Sequence, residues 1–157
     1  MKVTLLVIGK TEESYLREGI GEYEARLKRY VPFAVREIPA IRDAKSMPVQ
    51  EQKRKEAALL AKHIGADDLL VLLDERGKEM GSVQFSGFLN RLLSTGKKHL
   101  VFVAGGPYGF DETFKKRASH IMSLSKMTFS HQMVRLVFTE QLYRGFTILR
   151  NESYHHE

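Results

Sequence analysis

Apolar positions in the chain alternate between short dense runs and longer stretches of helical spacing. Val3 to Ile8 is an apolar run ended by Gly9, as expected of a strand covered on both faces of a parallel sheet. Leu16, Ile20, Tyr23, Leu27 and Tyr30 then recur at steps of four and three, which predicts an amphipathic helix closed by Pro32. Phe33 to Ile38 reads as a second strand ended by Pro39, and residues 42–52 as an exposed polar loop leading into a helix. In that helix Ala57, Leu60, Ala61 and Ile64 form the apolar stripe, Lys53, Arg54, Lys55 and Lys62 the solvated face, and Gly65 the stop.

Leu69 to Leu73 predicts a third buried strand, with residues 74–78 as a polar loop at its carboxyl end. A third helix capped by Ser82 buries Phe85, Phe88, Leu89, Leu92 and Leu93 and ends at Gly96. Leu100 to Ala104 is the fourth strand, followed by Gly105-Gly106-Pro107-Tyr108-Gly109 and a short helix that Asp111 caps and that carries Phe114 and Ala118. His120 to Leu124 is the candidate fifth strand. A last helix, capped by Ser130, presents Val134, Val137, Phe138, Leu142, Phe146 and Leu149 as a wide apolar stripe. This alternation predicts an α/β fold with a mostly parallel sheet flanked by helices, and 157 residues suit one domain. Ligands of such sheets bind at the carboxyl ends of the strands, so residues 74–78, 105–109 and 125–129 converge as the candidate site.

Composition narrows the chemistry. With no cysteine there is no disulfide, thiolate metal site or cysteine nucleophile, and the six histidines include no pair with the spacing of a zinc hydrolase, so no metal is expected. The amino-terminal apolar run is too short for a signal peptide and no run approaches membrane-spanning length, so a cytoplasmic protein without membrane contact is expected. A formal net charge of +6 suits a polyanionic partner without identifying one. Gly9-Lys10-Thr11 lacks the earlier glycine of a phosphate-binding loop, and Gly105 to Gly109 neither spells a dinucleotide fingerprint nor follows the first strand. Glycines there allow close approach of backbone to a ligand, or simply make a tight turn. Residues 124–129 combine apolar side chains with hydroxyls in a loop. His131, Arg135, Tyr143 and Arg144 on the last helix, with the tail Tyr154-His155-His156, offer stacking and phosphate-binding groups.

In order and spacing, several segments carry a resemblance over nearly the whole chain. They are Lys2-Val3 with Val7-Ile8-Gly9-Lys10, residues 72–78, residues 102–109, residues 124–129, His131 to Arg135, Glu140 to Arg144, and Tyr154 to Glu157. The chain resembles the RlmH (YbeA-like) methyltransferases of the SPOUT superfamily, which methylate N3 of a pseudouridine in large-subunit (23S) ribosomal RNA. The resemblance implies a deep C-terminal trefoil knot and a homodimer whose interface completes the active site. It also implies S-adenosyl-L-methionine as cofactor, bound at Leu73, Gly105, Leu124, Ser125, Lys126, Met127, Thr128 and Phe129. His131, Arg135, Arg144, Tyr154 and His155 would face ribosomal RNA in the ribosome, with Arg135, Tyr154 and His155 nearest the chemistry and the general base unassigned. Ser130 and Ser153 stand where that family often has proline. A non-catalytic ribosome-associated RNA-binding module and a transfer RNA methyltransferase of the same fold are the alternatives.

Overall fold

The computed structural model describes residues 1–156; Glu157 of the terminal motif lies outside the described residues. Five strands, β1 (Lys2–Ile8), β2 (Phe33–Ile38), β3 (Leu69–Glu79), β4 (His99–Ala104) and β5 (His120–Ser123), form one sheet in the order β2-β1-β4-β3-β5. Every strand pair is parallel, with Leu5 opposite Val35 and Phe102, and Leu72 opposite Val103 and Ile121. Each strand therefore ends at the same edge of the sheet, and the connections that leave that edge meet there.

Alternation along β1 divides the core in two. Val3, Leu5 and Val7 join Val71, Leu100 and Phe102 on one face, beneath helices α1 (Ser14–Leu27), α3 (Ser82–Leu93) and α5 (Met133–Leu149). Leu6 and Ile8 join Leu72, Val101 and Val103 on the other, beneath α2 (Val49–Ala61) and α4 (Glu112–Arg117), which contribute Leu60 and Phe114. Helix α5 packs against both α1 and α3, and its Phe138 ring lies 4.7 Å from that of Phe102. Continuous apolar strands are what a sheet covered on both faces requires.

Several sequence expectations shift. The segment 74–78, expected as a loop, continues β3: after an irregularity Lys78 and Glu79 pair with Met122 and Ser123 of β5. Helix α2 begins at Val49, inside the expected loop, which also holds a short 3-10 turn at Ala44–Ser46. Gly81 rather than Ser82 precedes α3, and its N–H donates to Gln84 Oε1 at 3.0 Å, while the Ser82 hydroxyl donates to Gln141 of α5 at 2.7 Å. Asp111 caps α4 by accepting from the Phe114 N–H at 3.2 Å, and Ser130 Oγ accepts from the Met133 N–H at 3.0 Å at the entrance to α5. Val137 is only half-buried, and Arg135, Thr139, Gly145 and Thr147 share the buried face of α5 with the apolar stripe.

At the amino-terminal edge of the sheet, His99 bridges Thr4 Oγ1 at 2.9 Å and Asp68 Oδ2 at 3.0 Å. This row joins β1, β4 and the turn before β3. Among the described residues no helix is long and apolar enough to cross a membrane, and no group of three or more His, Asp or Glu side chains is placed to hold a metal.

Candidate active site

The carboxyl ends of β3, β4 and β5 surround a cavity of about 350 Å³, within the size range of small-molecule sites. Its walls are residues 73–76 after the first half of β3, 104–110 after β4, and 123–125 with 127–129 after β5. The three segments that the sequence brings together as a candidate site thus enclose one space.

Each wall is fixed locally. After β4, Gly109 takes φ +80°, a left-handed conformation that disfavours other residues, and its N–H donates to the Gly106 carbonyl at 3.2 Å to close a tight turn. After β5, Ser123 Oγ donates to the Ser125 carbonyl at 2.8 Å, and Ser125 Oγ accepts from the Met127 N–H at 2.9 Å, so two hydroxyls shape the loop. Thr128 Oγ1 donates to Glu75 Oε2 at 2.6 Å and links that loop to the wall after β3. Leu73 is buried, and Leu124 and Phe129 are half-buried along the apolar wall. Met127 and Tyr108 stand at the rim, 79% and 54% exposed.

Of the expected cofactor residues, Leu73, Gly105, Leu124, Ser125, Met127, Thr128 and Phe129 line the cavity, while Lys126 is exposed and does not. Lys53 of α2 and Lys115 of α4 also line it. Lys115 Nζ lies 3.7 Å from Asp74 Oδ2, both side chains largely buried, and Asp74 Oδ1 accepts from the Arg76 N–H at 2.9 Å. Sequence reading missed Lys53 and Lys115 because a lysine on a charged helix face looks the same whether it faces water or a cavity.

The expected substrate residues separate into three places. His131 is exposed at the cavity wall. Arg135 is 1% exposed, and its guanidinium makes four hydrogen bonds: Nη2 donates to the Ile8 carbonyl at 2.7 Å, Nη1 to Gly9 O at 2.8 Å and Thr11 Oγ1 at 3.0 Å, and Nε to His131 O at 3.2 Å. Glu37 lies 3.7 Å away as its nearest carboxylate. Burial lowers the Arg135 pKa, and the carboxylates of Glu37 and Glu12 oppose that shift. Four of its five N–H groups end on protein oxygens and the side chain does not line the cavity, so in this structure Arg135 ties α5 to β1 instead of facing the cavity as the sequence led us to expect.

Arg144, Tyr154 and His155 form the third place, away from the cavity walls. Glu140 Oε1 accepts from Arg144 Nη2 at 2.7 Å and Nε at 3.1 Å, and from the Tyr154 hydroxyl at 2.9 Å. The Arg144 guanidinium covers the Tyr154 ring at 4.8 Å, and the Tyr143 ring meets it edge-on at 4.8 Å. Burial, then Tyr23 and Glu140, hold the Tyr154 phenol well above its ordinary pKa. Arg144 Nη1 lies 3.0 Å from His155 Nδ1. Arginine only donates, so Nδ1 is the acceptor there and the remaining imidazole proton is on Nε2.

The chain is 55% identical over 157 residues to "Ribosomal RNA large subunit methyltransferase H" of Parabacteroides distasonis, and 52% identical to the protein of that name in Flavobacterium johnsoniae, each covering all of both chains. In fold it is similar to a probable methyltransferase from Bordetella pertussis Tohama I, with a TM-score of 0.55 at 12% identity over 92% of this chain and 93% of that one. A probable methylase family protein from Haemophilus influenzae Rd KW20 matches with a TM-score of 0.53 at 12% identity, over 99% of this chain and 70% of that one. Residues 1–155 match the family described as "Predicted SPOUT methyltransferase", and the chain belongs to the SPOUT methyltransferase family.

Proposed function

We propose that the protein is an S-adenosyl-L-methionine-dependent methyltransferase of large-subunit ribosomal RNA, and that its target atom is N3 of a pseudouridine. The observation that carries this reading is the cavity built from three loops at the carboxyl edge of the sheet, lined by apolar side chains, polar side chains and glycine backbone. Relatives that match the full chain are named for methylation of that RNA class. A passive docking module has no use for such a space.

The residues present suit the cofactor. Gly105 and Gly106 form part of the cavity wall, Leu73, Leu124 and Phe129 offer apolar surface, and Asp74 supplies a carboxylate near Lys115. When bound, the cofactor supplies an already activated methyl group. The protein's part is then to hold the target nitrogen in line and ease loss of its proton. His131 stands at the cavity wall to meet the base, and the tail residues Tyr154 and His155, held by Glu140 and Arg144, are assigned to stacking on it and orienting it.

This division of labour supports a homodimer. Arg144 lies nine residues beyond Arg135 on α5, roughly 13 Å along the helix, so the tail of one chain is remote from its own cavity. A second copy brings its tail over the rim where Tyr108 and Met127 are exposed. A knot in the C-terminal half is part of this reading and rests on the family match. Near Gly77, where an added Cβ would stand 2.7 Å from the backbone N and C of Met122, β3 and β5 pack closely at the irregularity of their pairing. We place the enzyme, as one domain, in the cytoplasm among ribosomes.

Nucleoside analysis of ribosomal RNA from a strain lacking the gene, before and after incubation with the protein and S-adenosyl-L-methionine, tests the target. The expected product is 3-methylpseudouridine in large-subunit RNA. A methyl group on another atom or nucleoside contradicts the assignment.

A further inference from the structure

Behind the Gly105-Gly106 segment lies a carboxylate that no step above uses. Glu56 of α2 is only 6% exposed, and its Oε1 is a buried polar atom without a hydrogen-bond partner among the described residues. Its Oε2 has one protein donor, the Gln52 amide at 3.3 Å. The carboxyl head faces the glycine segment closely: a Cβ at Gly106 would stand 2.6 Å from Oε2, 2.8 Å from Oε1 and 3.0 Å from Cδ of Glu56. A Cβ at Gly105 would stand 3.0 Å from the Phe110 ring. Neither glycine has a positive φ, so close neighbours rather than backbone conformation are what disfavour a side chain at both. The segment is held between a phenylalanine ring and an acid, and its far side forms the wall of the cavity.

We propose that Glu56 is a positioning residue for the cofactor, its carboxyl group bracing Gly105 and Gly106 from behind so that their backbone keeps the shape the cofactor lies against. The proposal rests on the methyltransferase reading for the identity of the ligand. A carboxyl buried in this way carries a desolvation cost, which a site under purely structural demand avoids with an apolar side chain. The neutral acid fits the crevice: burial raises the Glu56 pKa, and the Gln52 amide only partly opposes this. The other charged groups at the crevice are Lys53 of α2 and Asp111 at the start of α4. Ionisation would place an unpaired charge against the glycine backbone, and water reaching it would displace the segment. Cofactor affinity is therefore expected to fall as pH rises through the raised pKa.

Calorimetric binding of S-adenosyl-L-methionine to folded wild-type, Glu56→Gln and Glu56→Ala proteins between about pH 5.5 and 8.5 tests this. Glu56→Gln, which keeps the shape without the charge, is expected to match the wild type at low pH and to lose the decline at high pH. It also serves as the reference for titration of the cofactor itself. Glu56→Ala is expected to bind about tenfold more weakly at every pH. Wild-type affinity in the alanine variant, a glutamine variant as weak as alanine, or one that follows the wild-type pH profile overturns the proposal. No binding by the wild type counts instead against the methyltransferase reading. In that event the brace is still tested without cofactor, because Gly106→Ala is expected to destabilise the wild type more than the Glu56→Ala background; strict additivity of the two changes would sink it.

Discussion

The guanidinium of Arg135 donates to the carbonyl oxygen of Ile8 at 2.7 Å, tying the first turn of the last helix to the end of the first strand across 127 residues of sequence. Because its other donors also end on buried or half-buried oxygens, its removal strands several acceptors at once. Arg135→Met is expected to lower unfolding stability by about 3 kcal/mol, and Arg135→Lys to restore only part, since one ammonium does not span a planar fork. Chemical unfolding checks this. An Arg135→Met protein of wild-type stability that had lost only RNA methylation would return the residue to the substrate.

Gly77 and Gly21 make a matched pair. An added methyl at Gly77 meets the backbone of Met122, which no side-chain rotation relieves, whereas at Gly21 in α1 nothing lies within 4 Å. Gly77→Ala is expected to cost about 1–3 kcal/mol or to slow folding sharply, and Gly21→Ala to stabilise by about 0.5–1 kcal/mol. Refolding yields and unfolding curves of the two variants distinguish the outcomes. Tolerance at Gly77 would contradict the close packing of β3 on β5 there.

The sheet was legible because its strands are dense apolar runs of the right length, and the site because its loops all leave one edge of that sheet. What escaped the reading did so for identifiable reasons. The second half of β3, from Asp74 to Glu79, is too polar to announce a strand and pairs only at the sheet edge with β5. Glu56 sits beside three cations, so a buried acid looks like part of a solvated face. Arg135 was traceable: it is in phase with Phe138, Leu142 and Phe146, which places it on the buried side of α5, but its charge suggested a phosphate. The separation of Tyr154 from the cavity in one chain depends on the path of the tail, which no periodicity encodes.

Glu140 holds the tail through Arg144 and Tyr154. Glu140→Ala is expected to reduce kcat at least tenfold while cofactor binding changes less than about twofold, because the proposed function assigns the tail to substrate rather than cofactor. Steady-state kinetics with calorimetry resolve the two. Equal losses in both would place Glu140 at the cofactor.

Tyr30 donates its hydroxyl to Glu152 Oε2 at 2.7 Å, and burial followed by that bond pushes its pKa up to about 12. An acid whose folded pKa is raised favours its neutral form in the fold, so this contribution is intact below the unfolded value near 10 and is lost as pH climbs toward about 12. Tyr30→Phe is expected to remove that part of the alkaline destabilisation. Thermal unfolding of both proteins from neutral to alkaline pH checks it, and coincident profiles would contradict the assignment.

The most direct measurement is transfer of labelled methyl from S-adenosyl-L-methionine to intact ribosomes, separated subunits, stripped ribosomal RNA and transfer RNA, all from cells lacking this protein. The account predicts label in large-subunit RNA when ribosomes are assembled. Label in transfer RNA instead, or no label anywhere from a folded dimer that binds the cofactor, would contradict it.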